Sequence, residues 1–398
     1  MPHPLLSSAG RTARRGLPAA LAAAVALGAL PAAAGSAAQG PPAAEETLAA
    51  GDSRDAVAHL IDTLGLHVAP QPVRERPGWR APRVVLIGTG QELHELLPQL
   101  QQAAPGVRLV EISAATPRDI AAADAAIGDC SPEVLARAQH LQWIQWGAAG
   151  VERCVQQPLV RERRPLITNT QRIAAPSMAE HVLALMLALS RHLPLFMREQ
   201  QQAHWISWDQ APPSADLEGK TLLVVGLGGI GTEVASRAHA LGMRIIATRA
   251  SGHSGPDYVS YVGLPDELLK LTREADFVVN CAPLTAQTTG IFNQEFFGTM
   301  KRSAFFVSVG RGKSTVTADL IAALGSGTIA GAGLDVADPE PLPADHPLWR
   351  APNLIITPHV SADTSASLAN YGLLLRENLR RYVAGEPMLS VVDIERGY

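Results

Sequence analysis

Cysteine is scarce: 398 residues hold only Cys130, Cys154 and Cys281. They are widely scattered, without metal-ligand spacing and without an obvious disulfide framework, so free and mostly buried thiols are expected and no metal site is. A surplus of either charge is also lacking. Lys and Arg total 33 against 37 Asp and Glu, a net charge of −4. That balance leaves no electrostatic footprint for nucleic acid or for an anionic membrane. Long apolar runs are missing beyond the first 40 residues, so no stable membrane span is expected in the mature chain. What remains is a globular composition, 47% apolar and 18% charged, in a chain long enough for two domains.

The first residues differ from the rest. Arg11, Arg14 and Arg15 precede an uncharged Ala/Leu-rich run over 17–34, followed by the small-residue patterns Ala32-Ala33-Ala34 and Ser36-Ala37-Ala38. These are the basic region, apolar region and cleavage site of a secretory signal peptide, expected over 1–38. Arg14-Arg15 resembles a twin-arginine signal, loosely, because Gly16-Leu17-Pro18 follows the pair. Residues 39–50 read as a Pro/Ala-rich linker. The expectation is export to the periplasm, with a cytoplasmic protein if the segment is not used.

The informative stretch is 220–249. Residues 221–225 form a short apolar run suited to a buried parallel strand. Gly226, Gly228 and Gly231 then complete G-x-G-x-x-G between that strand and a helix over 230–241, which Gly242 ends. The first glycine permits the turn, the second lets backbone approach a pyrophosphate, and the third lets helix and strand pack closely. The helix N-terminus faces the anion. A second strand, 243–247, ends at Thr248-Arg249, where an acid would ordinarily bind the ribose 2′-hydroxyl of NAD. A guanidinium and hydroxyls suit a 2′-phosphate instead. NADP(H) is therefore the expected cofactor, with NAD(H) possible.

Around this stretch, strand and helix alternate. Strands are expected at 84–87, 108–112, 125–127, 141–146 and 167–169, and after the fingerprint at 277–280, 304–309, 331–336 and 354–357. Helices are expected at 53–64, 91–104, 132–139, 175–193, 266–272, 293–300, 317–325 and 365–384. The fold class is α/β, with two doubly wound parallel-sheet domains. A Rossmann dinucleotide-binding domain (181–363) is inserted into a discontinuous flavodoxin-like substrate domain (51–180 and 364–398). The 175–193 helix is apolar nearly all round, as a helix between domains would be, and His181 near its start reads as structural. Trp205 and Trp208 lie on a connecting arm that suits a subunit contact.

Ligands of doubly wound sheets bind beyond the carboxyl ends of the strands. Arg311 follows one late strand, Glu340 the next and His359 the last. Arginine pairs with a carboxylate and polarises a ketone. Histidine gives and takes a proton near neutral pH, and a neighbouring carboxylate fixes its tautomer. The three together suit reduction of a 2-keto acid. Ala148, Ala149 and Gly150 form a small-residue turn after a strand, read equally well as a structural turn or as an amide site for a carboxylate.

Several motifs in order resemble the D-isomer-specific 2-hydroxy acid dehydrogenase family, over about 84–391. They are Val225-Gly226-Leu227-Gly228-Gly229-Ile230-Gly231, Ser308-Val309-Gly310-Arg311-Gly312, Gly333-Leu334-Asp335-Val336 with Glu340-Pro341-Leu342-Pro343, His346-Pro347-Leu348-Trp349, and Thr357-Pro358-His359. The resemblance implies Arg311 as substrate arginine, Glu340 as partner carboxylate and His359 as acid/base. It implies the Ala148–Gly150 amides on the substrate carboxylate and Asp335 near the nicotinamide. It adds Gly229, Ile230, Cys281, Pro283 and Val309 to the cofactor-binding residues Gly226, Gly228, Gly231, Thr248 and Arg249. The Thr-Arg strand end is similar to the NADPH-preferring glyoxylate/hydroxypyruvate reductase branch. A homodimer is implied through the dinucleotide domains. Formate dehydrogenases resemble this family but have Gln where Glu340 stands. The alternative from another class is a dinucleotide-sensing or binding protein with little or no dehydrogenase activity.

Overall fold

The computed structural model describes residues 50–398. The signal segment expected over 1–38 and the linker over 39–50, save its last residue, lie outside the described residues.

Two parallel sheets form, as expected. The first contains β1 (Val84–Ile87), β2 (Arg108–Glu111), β3 (Ala125–Ile127), β4 (Trp143–Gln145) and β5 (Leu166–Thr168), in the flavodoxin-like order β2-β1-β3-β4-β5. All four residues of β1 are buried, because helices cover both faces of the sheet. On one face the final helix, Ser365–Ala384, packs Leu375, Leu379 and Tyr382 against Val85, Ile87 and Trp143. Trp143 stacks on Tyr382 with ring centres 4.6 Å apart, and its indole N–H donates to Thr168 Oγ1 at 2.9 Å. The C-terminus thus closes the first sheet. The N-terminal helix runs Ala50–Leu64, three residues earlier than expected, and sets Leu60 and Leu64 against Leu374 and Leu389 of that closure.

The other face carries a correction. Cys130 and Cys154, read as free thiols, are joined in a disulfide. Their separation of 24 residues carries no sequence signal; folding brings the loop after β3 beside the short helix Glu152–Val155. Cys281 is free.

The second sheet contains β6 (Thr221–Val225), β7 (Arg244–Thr248), β8 (Val259–Gly263), β9 (Phe277–Asn280), β10 (Phe305–Ser308), β11 (Gly331–Leu334) and β12 (Leu354–Ile356). Its order is β12-β11-β10-β9-β6-β7-β8, with the strand order reversing between β6 and β9. The edge strand β8 was not anticipated: Ser260 and Tyr261 are exposed, so it lacks an apolar run. The long apolar helix stops at Ser190, three residues short of the expected end, because His192 adopts φ 55° and Pro194 begins a second helix, Leu193–Gln201. Its buried residues Ala179, Val182, Leu185, Met186 and Leu189 belong to the core of the second sheet. Among the described residues no helix is long and apolar enough to cross a membrane.

Candidate active site

The cofactor cradle sits where the strand order reverses. Gly226 has φ 94°, and a Cβ there would lie 2.8 Å from Ala282 backbone atoms. A Cβ on Gly231 would meet the Gly226 carbonyl oxygen at 2.2 Å. A Cβ on Gly228 would meet nothing within 4 Å. Two glycines are therefore demanded by close packing, while the third leaves open space for a ligand to approach the backbone. Helix Gly229–Ala240 begins there, so the amides of Gly229, Ile230 and Gly231 have no intrahelical acceptor. The residues present fit a dinucleotide pyrophosphate.

Thr248 is buried at the end of β7, its carbonyl accepting the Gly226 and Leu227 amides at 3.1 and 3.0 Å. Arg249 follows. Its Nε donates to Ser251 Oγ at 2.7 Å and one Nη to the Ser254 carbonyl at 3.1 Å. Both partners are neutral. Sequence reasoning missed Arg172, a residue of positive φ (74°) whose stem covers Gly229; a Cβ on that glycine would come within 2.6 Å of Arg172 Cγ. Arg172 Nη1 donates to the Leu64 carbonyl at 3.2 Å. Burial, and then the charge of Arg249, lower its pKa, while Glu233 opposes them. No spacing or motif marks Arg172, since only the fold carries it to the glycine turn. Cys281 and Pro283 line the loop after β9. Burial pushes the Cys281 thiol up to about 12, so it is a neutral wall. The Val309 amide donates to the Asn280 carbonyl at 3.1 Å, which ties the ends of β9 and β10 together.

The three chemical residues leave adjacent strands. Ser308 of β10 is level with Leu334 of β11, which is level with Ile356 of β12. Arg311, Glu340 and His359 follow within a few residues of those ends. His359 Nδ1 lies 3.0 Å from Glu340 Oε2, and Glu340 Oε1 accepts the Ala337 amide at 2.8 Å. His359 itself sits at φ 58°, a left-handed turn. Asp335 organises that turn. One carboxylate oxygen accepts the Thr357 hydroxyl at 2.6 Å and the Val360 amide at 3.0 Å; the other accepts the Ser361 amide at 3.0 Å. Burial alone would raise the Asp335 pKa, but the Thr357 hydroxyl and the Val360 and Ser361 amides outweigh it and hold the group below the ordinary aspartate range. Because the Thr357 hydroxyl hydrogen goes to Asp335, its oxygen accepts from His181 Nε2 at 2.9 Å. His181 is thus a partnered structural histidine.

Arg311 faces the first sheet. Its Nε donates to Glu152 Oε1 at 2.7 Å and its Nη1 to the Gly310 carbonyl at 2.8 Å. A Cβ on Gly150 would collide with Arg311 Nη2 at 1.8 Å, so the loop and the guanidinium are in contact. The carbonyls of that loop are occupied. Ala148 accepts the Thr170 amide at 3.4 Å, Ala149 the Asn169 side chain at 2.7 Å, and Gly150 the Trp146 indole at 2.7 Å. Among the described residues none of the Ala148, Ala149 and Gly150 amides donates to a protein acceptor. The turn therefore presents bare N–H groups beside a guanidinium, as a carboxylate site requires.

A model of the D-isomer specific 2-hydroxyacid dehydrogenase NAD binding domain matches residues 183–361. Human glyoxylate reductase/hydroxypyruvate reductase is 34% identical over 240 residues, 59% of this chain and 72% of that protein. The chain belongs to the D-isomer specific 2-hydroxyacid dehydrogenase family. It is an NAD(P)-dependent oxidoreductase, and its dinucleotide-binding domain is the second sheet with its helices. Two solved family structures resemble this dehydrogenase along nearly their whole length. One, from Xanthobacter autotrophicus with NADPH and MES, is 29% identical with TM-score 0.69, covering 80% of this chain and 100% of that one. The other is the NADPH-dependent glyoxylate/hydroxypyruvate reductase of Sinorhizobium meliloti with NADP and sulfate. It is 27% identical with TM-score 0.69, covering 79% and 100%.

Sequence reasoning about this dehydrogenase also passed over a buried polar network. Asn280 Nδ2 donates to Ser308 Oγ at 3.0 Å and to Ser314 Oγ at 2.8 Å, while its Oδ1 accepts the Ala282 amide at 3.0 Å. These bonds pin the loop that carries Arg311. An Asn ending an apolar strand is the one signal that could have marked it.

Proposed function

We propose that the chain reduces a small 2-keto acid, such as glyoxylate or hydroxypyruvate, to the D-2-hydroxy acid, using NADPH. The observation that carries this reading is the His359–Glu340 pair, 3.0 Å apart, whose members follow β12 and β11, the two strands next in order to the β10 end that carries Arg311. The bound dinucleotide supplies the hydride. Arg311 and the free amides of Ala148–Gly150 hold the substrate carboxylate, and the guanidinium polarises the carbonyl oxygen. Glu340 occupies Nδ1 of His359, which leaves Nε2 to give a proton to the forming alkoxide and to take one back in oxidation. The glyoxylate and hydroxypyruvate reductases among the relatives support the substrate class. Product analysis tests the reading: hydroxypyruvate should yield D-glycerate, and L-glycerate would contradict it. Tight NADPH binding without any product would favour a dinucleotide-binding protein instead.

NADPH is preferred on this reading because Arg249 has only neutral partners and no acid ends β7. Arg172, over Gly229, adds a second cation beside the glycine turn. Two wider readings go with it. The exposed Trp205 and Trp208, 92% and 90% accessible, support a homodimer built through the arm and the dinucleotide domain. The Cys130–Cys154 disulfide supports export to an oxidising compartment, in keeping with the basic and apolar segments of the first 38 residues. Sedimentation of the purified protein tests the first, and N-terminal sequencing of periplasmic material tests the second.

A further inference from the structure

Arg311 is held from across the cleft by a carboxylate with no assigned role. Glu152 belongs to the short helix after the Ala148–Gly150 loop of the first sheet, whereas Arg311 follows β10 of the second. Arginine has five N–H donors in one plane. Glu152 Oε1 takes Nε at 2.7 Å, and the Gly310 carbonyl takes Nη1 at 2.8 Å. Nη2 remains, and it is the nitrogen pressed against Gly150. Glu152 Oε2 approaches the same point: a Cβ on Gly150 would lie 2.6 Å from it. Both side chains are about three-quarters buried, at 28% and 23% exposure.

We propose that Glu152 is a positioning residue. It fixes the plane of the Arg311 guanidinium so that Nη2 faces the amides of Ala148–Gly150. This rests on the reading of the site as one for a 2-keto acid. An unanchored arginine has several rotatable bonds and would sample many orientations, and a bidentate or carbonyl-polarising contact needs one of them. Anchoring at Nε removes that freedom without using the Nη2 edge. Since the two residues come from different sheets, the same pair keeps the carboxylate site closed while substrate is bound. Glu152 touches Arg311 and not the reacting atoms, in parallel with Glu340, which acts through His359.

The test uses Glu152→Ala and Glu152→Gln in the full chain with saturating NADPH. Glu152→Ala should lower kcat/KM for the keto acid by about 10- to 100-fold, as expected for losing a charge-assisted hydrogen bond, with kcat falling as well as KM rising. Glu152→Gln keeps an acceptor for Nε and should recover most of that loss. NADPH affinity should stay within about twofold of wild type in both, because no cofactor group is touched. Unchanged kinetics in Glu152→Ala, or a Glu152→Gln variant as impaired as Glu152→Ala, would overturn the inference. A wild-type protein that turns over no keto acid would instead overturn the functional reading. In that case crystal structures still decide on Glu152: Arg311 should leave Gly150 in Glu152→Ala and stay in Glu152→Gln, and an unmoved guanidinium in Glu152→Ala would refute the positioning role.

Discussion

His359 and Glu340 leave neighbouring strands and meet at 3.0 Å between Nδ1 and Oε2. The turn that presents His359 is fastened by Asp335, buried at the end of β11. Proton delivery thus depends on one residue that moves the proton, one that orients the ring, and one that shapes the backbone. His359→Ala should reduce turnover by about 10²- to 10⁴-fold, the usual share of general acid catalysis, and leave NADPH binding intact. Fluorescence titration beside steady-state assays checks this, and retained turnover would mean that another group supplies the proton.

Asp335 gives a pH prediction. Its folded pKa is depressed below 3.8, so its contribution is present above that value and is lost as pH falls through the folded pKa. Asp335→Asn would set an N–H group against the Ser361 amide. It should cost about 1–3 kcal/mol at neutral pH, the range for a buried unsatisfied group. The variant should also lose less stability than wild type on acidification below pH 4. Urea unfolding at two pH values measures both effects; equal acid sensitivity in the two proteins would contradict the assignment.

Arg249→Asp should shift the cofactor ratio toward NADH. Removing a charge-assisted contact to the 2′-phosphate, and placing an acid near the 2′-hydroxyl, should lower the NADPH/NADH ratio of kcat/KM by about 10- to 100-fold or more. A ratio unchanged by the substitution would place the discrimination elsewhere.

The disulfide is expected to contribute to stability through the chain it closes. For a separation of 24 residues the loop-entropy relation gives roughly 3–4 kcal/mol. Cys130→Ser with Cys154→Ser should therefore unfold at lower denaturant, with little change in NADPH affinity because the second sheet is untouched. Equal denaturation midpoints would show that the bond is not formed in the purified protein.

The parts of this molecule legible in the sequence are those in which chemistry follows local pattern. The Gly226–Gly231 turn stands between an apolar strand and a helix, and Arg311, Glu340 and His359 each come just after an apolar run, so a parallel sheet was enough to place them together. Other features depend on distant segments meeting. Cys130 and Cys154 pair only because the β3 loop and the helix at Glu152 share one face. Arg172 reaches Gly229, and Glu152 reaches Arg311, only because the two sheets confront each other. Strand β8 escaped notice because an edge strand with an exposed Ser260 and Tyr261 carries no apolar signature.

The most direct measurement mixes purified protein with NADPH or NADH and a panel of 2-keto acids, and follows loss of the reduced nicotinamide absorbance. Oxidation should occur with glyoxylate or hydroxypyruvate and run faster with NADPH than with NADH. No oxidation with any keto acid would contradict the proposed reaction, and faster turnover with NADH would contradict the role given to Arg249.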